Sequence, residues 1–380
     1  MTQQGRAVKD KTVLVLGGYG HFGARIVRAL AASPGITVIA GGRHPPATMT
    51  DQAGAPLAGV RCLAIDAAAP DLVERLRASG AGLLIHGAGP FQGQDYAVAC
   101  ACIEAGLDYI DLADGRQFVR DFPAWLDAPA RQAGCSVISG ASTLPALSSA
   151  VVDALAARLD QLEEIDMVIA PAQASPLGLA TVQAVLGYCG SAFPVWWQGR
   201  WQEMVGWGSP QTAQFARLPP RLAAPCDVPD HDVLQQRWPQ LQGVRFRAAL
   251  ELPFLQRCLA GLAYVRQLGL PLPMPLLCRL LARCGRWFDR FGSDLGGMRV
   301  SVRGQRNGQR LECHWDLTAP MLHGPEIPTF AAIVLARRWA AGQPLPVGAH
   351  VCVGLLELAE FQDEFARWGI HSQISAPAGH

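Results

Sequence analysis

The chain has 380 residues, of which half are apolar and 17% are charged. This length suits two or three domains, and so much apolar surface can be buried that a chain disordered throughout is excluded. The 32 Lys and Arg residues nearly balance the 31 Asp and Glu residues, and a net charge of +1 argues against a nucleic-acid binder that relies on bulk charge.

Short apolar runs in the first ~150 residues are predicted to be strands buried on both faces. They are residues 12–16, 36–40, 62–65, 83–85, 109–112 and 136–138. Helical patterns separate them, such as residues 94–105, which precede a capping glycine, Gly106. This alternation predicts an α/β fold with a doubly wound, mostly parallel sheet of the Rossmann type.

Beyond residue 147 the pattern changes. Further strands are predicted at 165–170, 196–201 and 244–252, helices at 179–188 and from Pro328, and a hairpin from 298–303 and 311–317. We therefore expect a second, α+β domain built on a mostly antiparallel sheet. The predicted ranges are a Rossmann domain over 1–147, a substrate or dimerisation domain over 148–325, and a C-terminal helical segment over 326–380, with packing back on the first domain as an option.

Residues 276–291 carry two stripes at helical spacing. One interpretation is a helix at a lipid surface, which gives peripheral lipid contact, and the other is a core-facing helix with a solvated arginine face. The apolar stripe is Leu276, Leu277, Leu280, Leu281, Cys284, Trp287, Phe288 and Phe291, and the basic one is Arg279, Arg283, Arg286 and Arg290. Arginines and prolines interrupt the longest apolar stretch, 250–281, so no integral membrane span is predicted.

Residues 1–11 are polar and lack the apolar core of a signal peptide, which favours a cytoplasmic protein. The eleven cysteines form no C-x-x-C pair, as is typical of free thiols in a reducing compartment. The nine histidines show no ligand spacing, so no metal site is predicted.

The sharpest motif directly follows the first predicted strand and opens a helix. It reads Gly18-Tyr19-Gly20-His21-Phe22-Gly23. In such loops the glycines allow a tight turn, close approach of a pyrophosphate and close packing of helix on strand, while the helix N-terminus stabilises phosphate charge. The motif predicts dinucleotide binding, and the alternative is a glycine-rich turn without a ligand.

The end of the second predicted strand bears on the choice of cofactor. NAD sites usually carry an acidic side chain there, whereas this chain has Gly41-Gly42-Arg43 and no carboxylate before Asp51. A guanidinium suits a 2′-phosphate, so Arg43 favours NADP(H), unless it is a solvated surface residue. Asp66, after the third strand, either accepts a hydrogen bond from the adenine amino group or stabilises a turn.

A second small-residue segment, Gly87-Ala88-Gly89-Pro90-Phe91, follows the fourth predicted strand. Its small residues would let the nicotinamide half of the cofactor lie against backbone, with Phe91 as an apolar wall. A tight strand-to-helix turn is the other interpretation, and the two are compatible.

These motifs resemble the saccharopine dehydrogenase-like oxidoreductases, together with GLDYIDL at 106–112, GASTLPALS at 140–148, GLAT at 178–181, GSDLGGM at 292–298 and GPEIP at 324–328. The resemblance spans nearly the whole chain. It implies an NADP-binding Rossmann domain, a second α/β domain over the cofactor's reactive end, and frequent dimerisation. The lysine–histidine acid/base pair of the lysine-forming saccharopine dehydrogenases is not implied, because the only lysines are Lys9 and Lys11.

Catalytic groups in open α/β sheets lie beyond the carboxyl ends of the strands. This rule selects His86, Asp111, Asp114, Arg116, Ser142 and Thr143. His86 titrates near neutrality in its unperturbed form and is the best generic proton donor, although a structural histidine is an alternative. Asp111 is expected to orient a turn or substrate. Arg116 either pairs with a substrate carboxylate or phosphate or is an exposed helix residue.

Two functions follow from these patterns. The first is an NADP(H)-dependent oxidoreductase, a homodimer, that acts on a C=N, C=O or activated C=C bond of a small lipid-derived or amino-acid-derived substrate. The second is a non-catalytic NADP(H)-binding regulator or scaffold, which the absence of a clear acid/base pair motivates.

Overall fold

The structure is a computed structural model that describes residues 11–175, 187–269, 277, 286–375 and 378–379. The chain forms two compact units. The first unit comprises Met1–Ala113, Phe118–Thr143 and Pro328–Cys352, and the second unit comprises Asp114–Gln117, Leu144–Ile327 and Val353–His380. The chain therefore crosses between the units five times, after residues 113, 117, 143, 327 and 352, whereas the sequence analysis expects three consecutive ranges.

Seventeen strands are described. In chain order they are β1 (Thr12–Leu16), β2 (Thr37–Gly42), β3 (Val60–Ala64), β4 (Leu83–His86), β5 (Asp108–Asp111), β6 (Ser136–Ser139), β7 (Gln161–Ala170), β8 (Ala192–Trp197), β9 (Arg200–Val205), β10 (Gln211–Ala213), β11 (Arg221–Pro225), β12 (Gly243–Ala249), β13 (Gly296–Arg306), β14 (Gln309–Ala319), β15 (Gly348–Val351), β16 (His371–Ile374) and β17 (Ala378–Gly379).

The described α-helices are α1 (Gly23–Ala31), α2 (Leu72–Ser79), α3 (Ala97–Ala105), α4 (Arg116–Ala133), α5 (Ser148–Ala156), α6 (Asp230–Arg237), α7 (Pro253–Gln267), α8 (Phe330–Ala340) and α9 (Gln362–Arg367). Short 3-10 helices cover Arg286–Phe291, Gly324–Thr329 and Leu358–Phe361. Residues 179–186 of the predicted helix at 179–188 lie outside the described residues, and so do six of the twelve stripe residues of 276–291.

The first unit contains a seven-stranded sheet in the order β15-β6-β5-β4-β1-β2-β3. Every neighbouring pair is parallel, which confirms the predicted doubly wound sheet. The central strands are continuous apolar runs because helices cover both faces, and every residue of β1 is buried. The strand order reverses between β1 and β4, and ligands of open α/β sheets bind at such a switch point.

Helix α1 follows the expected period. Ile26, Val27 and Leu30 form its buried stripe. The chain leaves the helix through Ser33 and Pro34 and turns at Gly35, whose φ of +73° is the left-handed conformation that glycine adopts at little cost.

The second unit contains an eight-stranded sheet with the path β10-β11-β12-β7-β13-β14-β16, and β17 also pairs with β14. Only β7 and β12 are parallel neighbours, which confirms the mostly antiparallel second sheet. The predicted hairpin is β13–β14, whose strands are longer than expected. Its two-residue turn, Asn307-Gly308, has φ values of +52° and +73°, which suit the right-handed twist of the strands.

The strand predicted at 196–201 is wrong. Trp197 ends β8 and Arg200 begins β9, and the turn between them has positive φ at Gln198 and Gly199. Trp196 and Trp201 face each other across this hairpin, with ring centroids 5.5 Å apart. Cross-strand tryptophans place two apolar groups in one short run, and such a run is easily taken for a single strand.

Within the described ranges, no helix is long and apolar enough to cross a membrane. The same residues contain no group of three or more His, Cys, Asp or Glu side chains that could hold a metal ion.

Candidate functional site

The glycine loop joins β1 to α1 at the switch point of the parallel sheet. A Cβ atom on Gly18 would lie 2.8 Å from the Val15 carbonyl oxygen, and one on Gly23 would lie 2.1 Å from the Gly17 carbonyl oxygen. Real side chains do not occur at such distances, so both positions require glycine. The Gly23 contact is the close packing of helix on strand that the motif predicts.

The N-terminus of α1 has the properties of an anion site. The N–H groups of His21, Phe22 and Gly23 donate no hydrogen bond within the part of the chain that the structure describes, and no side chain caps the helix. The N–H groups of Gly17 and Gly18 both donate to the Gly41 carbonyl, which fixes the loop on β2. Free N–H groups and the positive end of the helix dipole together suit a phosphate.

The Gly87–Phe91 segment lies beside this loop. A Cβ atom on Gly17 would lie 3.0 Å from the Ala88 backbone nitrogen. The Gln94 side-chain amide holds the segment by donating to the carbonyl oxygens of Ala88 and Pro90, at 3.0 and 2.6 Å. Phe91 is buried and packs edge-on against His86, so its ring belongs to the core of the first unit. A cofactor lying against this backbone and Phe91 as an apolar wall both stay predictions.

Tyr19, inside the glycine motif, has a structural role in the described contacts. Its hydroxyl oxygen lies 2.6 Å from the Ala40 carbonyl oxygen and accepts a hydrogen bond from the Leu63 N–H at 3.1 Å. Its ring lies against Gly42, where a Cβ atom would be 2.8 Å from the Tyr19 Cδ2 atom. Burial raises the pKa of Tyr19. The side chain therefore ties the glycine loop to β2 and β3.

Arg43 directly follows β2 and is exposed, with no hydrogen bond or ion pair to any described residue. Its guanidinium is available to a ligand. Asp66 lies beyond the end of β3 and accepts a hydrogen bond from the Ala68 N–H at 3.1 Å. The turn-stabilising interpretation of Asp66 thus has a contact in the structure, and the adenine contact stays a prediction.

Two of the predicted catalytic residues, His86 and Asp111, lie in one buried network. The Tyr109 hydroxyl donates to Asp111 Oδ2 at 3.1 Å and lies 3.1 Å from His86 Nδ1. The tautomer of the His86 ring decides which of the two groups donates in the His86–Tyr109 hydrogen bond. Asp111 Oδ1 accepts three hydrogen bonds, from the Ala113 and Gly140 N–H groups and from the Ser139 hydroxyl.

Burial sets the protonation of this network. It lowers the pKa of His86 to about 4, although a hydrogen bond to the Ala88 backbone opposes the shift. The expectation that His86 titrates near neutrality is therefore corrected, since its ring is uncharged at neutral pH. Burial also raises the pKa of Asp111 to about 6, against hydrogen bonds that favour the ionised form. The structure supports His86 as a structural hydrogen-bonding residue.

Arg116 is neither exposed nor available to a substrate in the described structure. Its side chain is 8% exposed and binds Asp232 through two hydrogen bonds, of 2.6 and 2.7 Å. It also donates to Asp227 and to the Pro194 carbonyl, at 2.8 and 2.7 Å. Burial opposes the charge, but the hydrogen bonds with Asp232 and Asp227 outweigh it and raise the pKa of Arg116. Arg116 thus joins Asp227, Asp232 and the Pro194 carbonyl within the second unit, and we call this cluster the Arg116 clamp.

The remaining candidates are more accessible. Asp114 is exposed and belongs to the second unit, and Ser142 and Thr143 are half-buried in the first unit.

The sequence reasoning missed Tyr109, Asp227 and Asp232. Tyr109 and Asp111 are two apart on one strand, so alternation places both on one face, and this signal was available. The carboxylates of the Arg116 clamp are 111 and 116 residues away in sequence, and no local pattern connects them.

Comparison with known proteins supports the sequence resemblance. Residues 13–138 match the family described as the saccharopine dehydrogenase NADP binding domain. A search of curated proteins gives no match.

Two solved structures are similar over almost the whole chain. Saccharopine dehydrogenase (L-Glu forming) from Saccharomyces cerevisiae is 12% identical with a TM-score of 0.66, over 96% of this chain and 100% of that chain. Homospermidine synthase from Legionella pneumophila, in complex with NAD, is 10% identical with a TM-score of 0.57, over 96% and 91%. At these identities the likeness shows the fold, which is that of saccharopine dehydrogenase.

Proposed function

We propose that the protein is an NADP(H)-dependent oxidoreductase, because residues 13–138 match the saccharopine dehydrogenase NADP binding domain. The observation that carries the proposal is the glycine loop. Gly18 and Gly23 leave no room for side chains, and the N–H groups at the start of α1, which have no acceptor among the described residues, suit a diphosphate.

The residues present fit the cofactor. The N–H groups of His21, Phe22 and Gly23 would hold the diphosphate, the free guanidinium of Arg43 would bind a 2′-phosphate, and the segment from Gly87 would receive the nicotinamide half. When bound, the cofactor supplies or accepts the hydride. The chain's contribution is to orient the cofactor and to stabilise its charge.

The proposed substrate is a small molecule with a C=N, C=O or activated C=C bond. Saccharopine dehydrogenase and homospermidine synthase have similar folds, and their names favour nitrogen-containing substrates among these options. A lipid-derived carbonyl or enoyl compound stays the alternative. A cytoplasmic homodimer is part of the same proposal.

One observation favours a second candidate, a non-catalytic NADP(H)-binding regulator. The predicted proton donor His86 is buried and neutral at pH 7, and the guanidinium of Arg116 is occupied by Asp227 and Asp232. Neither residue is poised for acid/base chemistry in the described structure.

Cofactor choice is tested by titrating the protein with NADPH and NADH and following nicotinamide fluorescence. We expect NADPH to bind at least ~10-fold more tightly, and Arg43→Glu to remove that preference by opposing the 2′-phosphate. Arg120→Glu is the matched control, because Arg120 is a half-exposed arginine of the same unit that pairs with Asp121. Preference for NADH, or an unchanged preference in Arg43→Glu, would contradict the Arg43 argument.

Turnover separates the enzyme from the regulator. Imines, ketones and enoyl thioesters are screened for oxidation of NADPH at 340 nm, with the Gly23→Ala variant as the cofactor-deficient control. Oxidation that depends on Gly23 supports the oxidoreductase. Tight NADPH binding with no turnover on any of the three classes favours the regulator.

A further inference from the structure

The side chain of Tyr19 joins three parts of the first unit. Its backbone belongs to the glycine loop, its ring covers Gly42 at the end of β2, and its hydroxyl reaches β3. The hydroxyl donates to the Ala40 carbonyl oxygen at 2.6 Å and accepts from the Leu63 N–H at 3.1 Å. It also lies 3.0 Å from the Leu63 carbonyl oxygen. One phenol group therefore connects the loop to two neighbouring strands.

The ends of these two strands lead to the residues predicted to bind the adenosine half of the cofactor. Gly42 is the last residue of β2 and directly precedes Arg43, while β3 ends two residues before Asp66. The Ile65 N–H donates to the Gly42 carbonyl oxygen at 3.0 Å, so the two strand ends are linked to each other. A shift of the Gly42 backbone would therefore move the backbone that carries Arg43.

Strand β3 has few other contacts to hold it in place. It is the edge strand of the parallel sheet, and all five of its residues are at least partly exposed. The connection from β2, residues 43–59, contains no helix and no strand apart from one bridge between Thr50 and Pro56. Such an edge opens at low cost in free energy, because little apolar surface is buried there. The Tyr19 hydroxyl is thus well placed to hold β3 on β2.

The glycine loop has a second attachment that does not involve the Tyr19 side chain. The N–H groups of Gly17 and Gly18 donate to the Gly41 carbonyl oxygen, at 2.9 and 3.0 Å. These bonds hold the loop on β2 whichever residue occupies position 19. A change of the phenol group should therefore affect the ends of β2 and β3 more than the N–H groups that suit a diphosphate.

We propose that Tyr19 is a positioning residue that sets the preference for NADPH over NADH, because it fixes the distance between the diphosphate site and Arg43. The inference rests on the proposed function. NADPH carries a phosphate for each of these two positions, whereas NADH carries one for the first position only. Two contacts on one ligand reinforce each other when the distance between their binding groups is fixed in advance. Loosening that distance lowers the affinity for NADPH and leaves the affinity for NADH nearly unchanged.

The test is to measure the affinities of the full chain for NADPH and NADH by nicotinamide fluorescence. Tyr19→Phe keeps a ring against Gly42 and removes the hydroxyl. We expect the ratio of the two affinities to fall at least ~5-fold, with NADH affinity within ~3-fold of the original. Tyr96→Phe is the matched control, because Tyr96 is a half-buried tyrosine of the same unit whose hydroxyl donates to the Phe118 carbonyl oxygen at 2.9 Å. Its ratio is expected to stay within ~2-fold of the original.

A second variant alters the same contact from β2. In Gly42→Ala the new Cβ atom would lie 2.8 Å from the Tyr19 Cδ2 atom, so the ring and the strand end must move apart. We expect a similar fall in the ratio, with thermal melting as the check of folding. Gly261→Ala is the control, since a Cβ atom there has no neighbour within 4 Å.

The outcomes separate this inference from the proposed function. An unchanged ratio in either folded variant, or an equal loss of affinity for both nucleotides, would overturn the role of Tyr19 and leave the proposed function intact. An original protein that binds NADH as tightly as NADPH would overturn it as well, because there would be no preference to set. Failure of the original protein to bind either nucleotide would contradict the proposed function itself.

Discussion

Buried carboxylates have different hydrogen-bond partners in the two units. In the first unit Asp111 is fully buried, and its described hydrogen-bond partners are backbone N–H groups and the hydroxyls of Ser139 and Tyr109. In the second unit carboxylates meet guanidinium groups, as in Arg116 with Asp232 and Arg299 with Asp316, each joined by two hydrogen bonds.

The difference follows from the sheets. The carboxyl ends of parallel strands gather loop N–H groups at one edge, and these can solvate a carboxylate without a counter-charge. In an antiparallel sheet, side chains directly opposite each other on neighbouring strands can pair, as Arg299 and Asp316 do across β13 and β14. Buried charge in the second unit therefore depends on long side chains that reach across elements, between strands for Arg299 and from helix α4 for Arg116.

The largest effect is expected from breaking the clamp. Arg116→Met leaves Asp232 buried and Asp227 half-buried without their guanidinium, so the free energy of unfolding should fall by about 3–5 kcal/mol. Urea denaturation measures the loss. Arg303→Met is the control and should cost no more than about 1 kcal/mol, because its ion pairs are half-exposed. Equal losses in the two variants would remove the distinction between clamp and surface pair.

A smaller effect tests the first unit. In Gly23→Ala the new Cβ would lie 2.1 Å from the Gly17 carbonyl oxygen, so loop and helix must move apart. We expect NADPH affinity to fall at least ~100-fold, or about 2.7 kcal/mol. Gly261→Ala is the matched control, since a Cβ there has no neighbour within 4 Å. NADPH binding to Gly23→Ala within ~3-fold of the original would rule out the glycine-loop site.

The smallest effect is expected from Asp230, a buried carboxyl of the second unit that has no arginine partner among the described residues. Asp230 accepts a hydrogen bond from the Ser148 hydroxyl at 2.5 Å, and its Oδ2 atom has no partner among the described residues. Burial raises the pKa of Asp230 from 3.8 to about 7. The folded state therefore binds the proton more tightly than the unfolded state, and stability contributed by the neutral form is lost as pH rises between about 4 and 7.

Asp230→Asn removes this titration. We expect the variant to be more stable relative to the original protein at pH 8 than at pH 4, because only the original protein loses the tightly bound proton over this range. Urea denaturation at the two pH values gives the difference. A pH profile that is parallel in the two proteins would show that Asp230 ionises normally in the folded state.

Features formed by consecutive residues were predictable from the sequence in both units. The glycine loop was predictable because strand, turn, helix and second strand are consecutive, and Gly18 and Gly23 are where the structure requires glycine. The β13–β14 hairpin was predictable for the same reason, since Asn307-Gly308 is a local turn signal.

The roles of His86 and Arg116 were not predictable from local patterns. A strand end indicates nearness to a ligand edge, but burial, which lowers the pKa of His86, comes from neighbours such as Phe91 and Tyr109 in separate segments. The partners of Arg116 lie more than 100 residues away. Such contacts appear only once the second sheet is assembled.

The interleaving of the two units bears on how the protein can be divided experimentally. Strand β15 lies at one edge of the parallel sheet and pairs with β6, although β15 follows β6 by more than 200 residues in the chain. A truncated product that stops at residue 147 would lack both β15 and α8. It would expose the unpaired edge of β6 and would be prone to aggregate through that edge. Functional dissection of this protein therefore calls for point substitutions in the intact polypeptide.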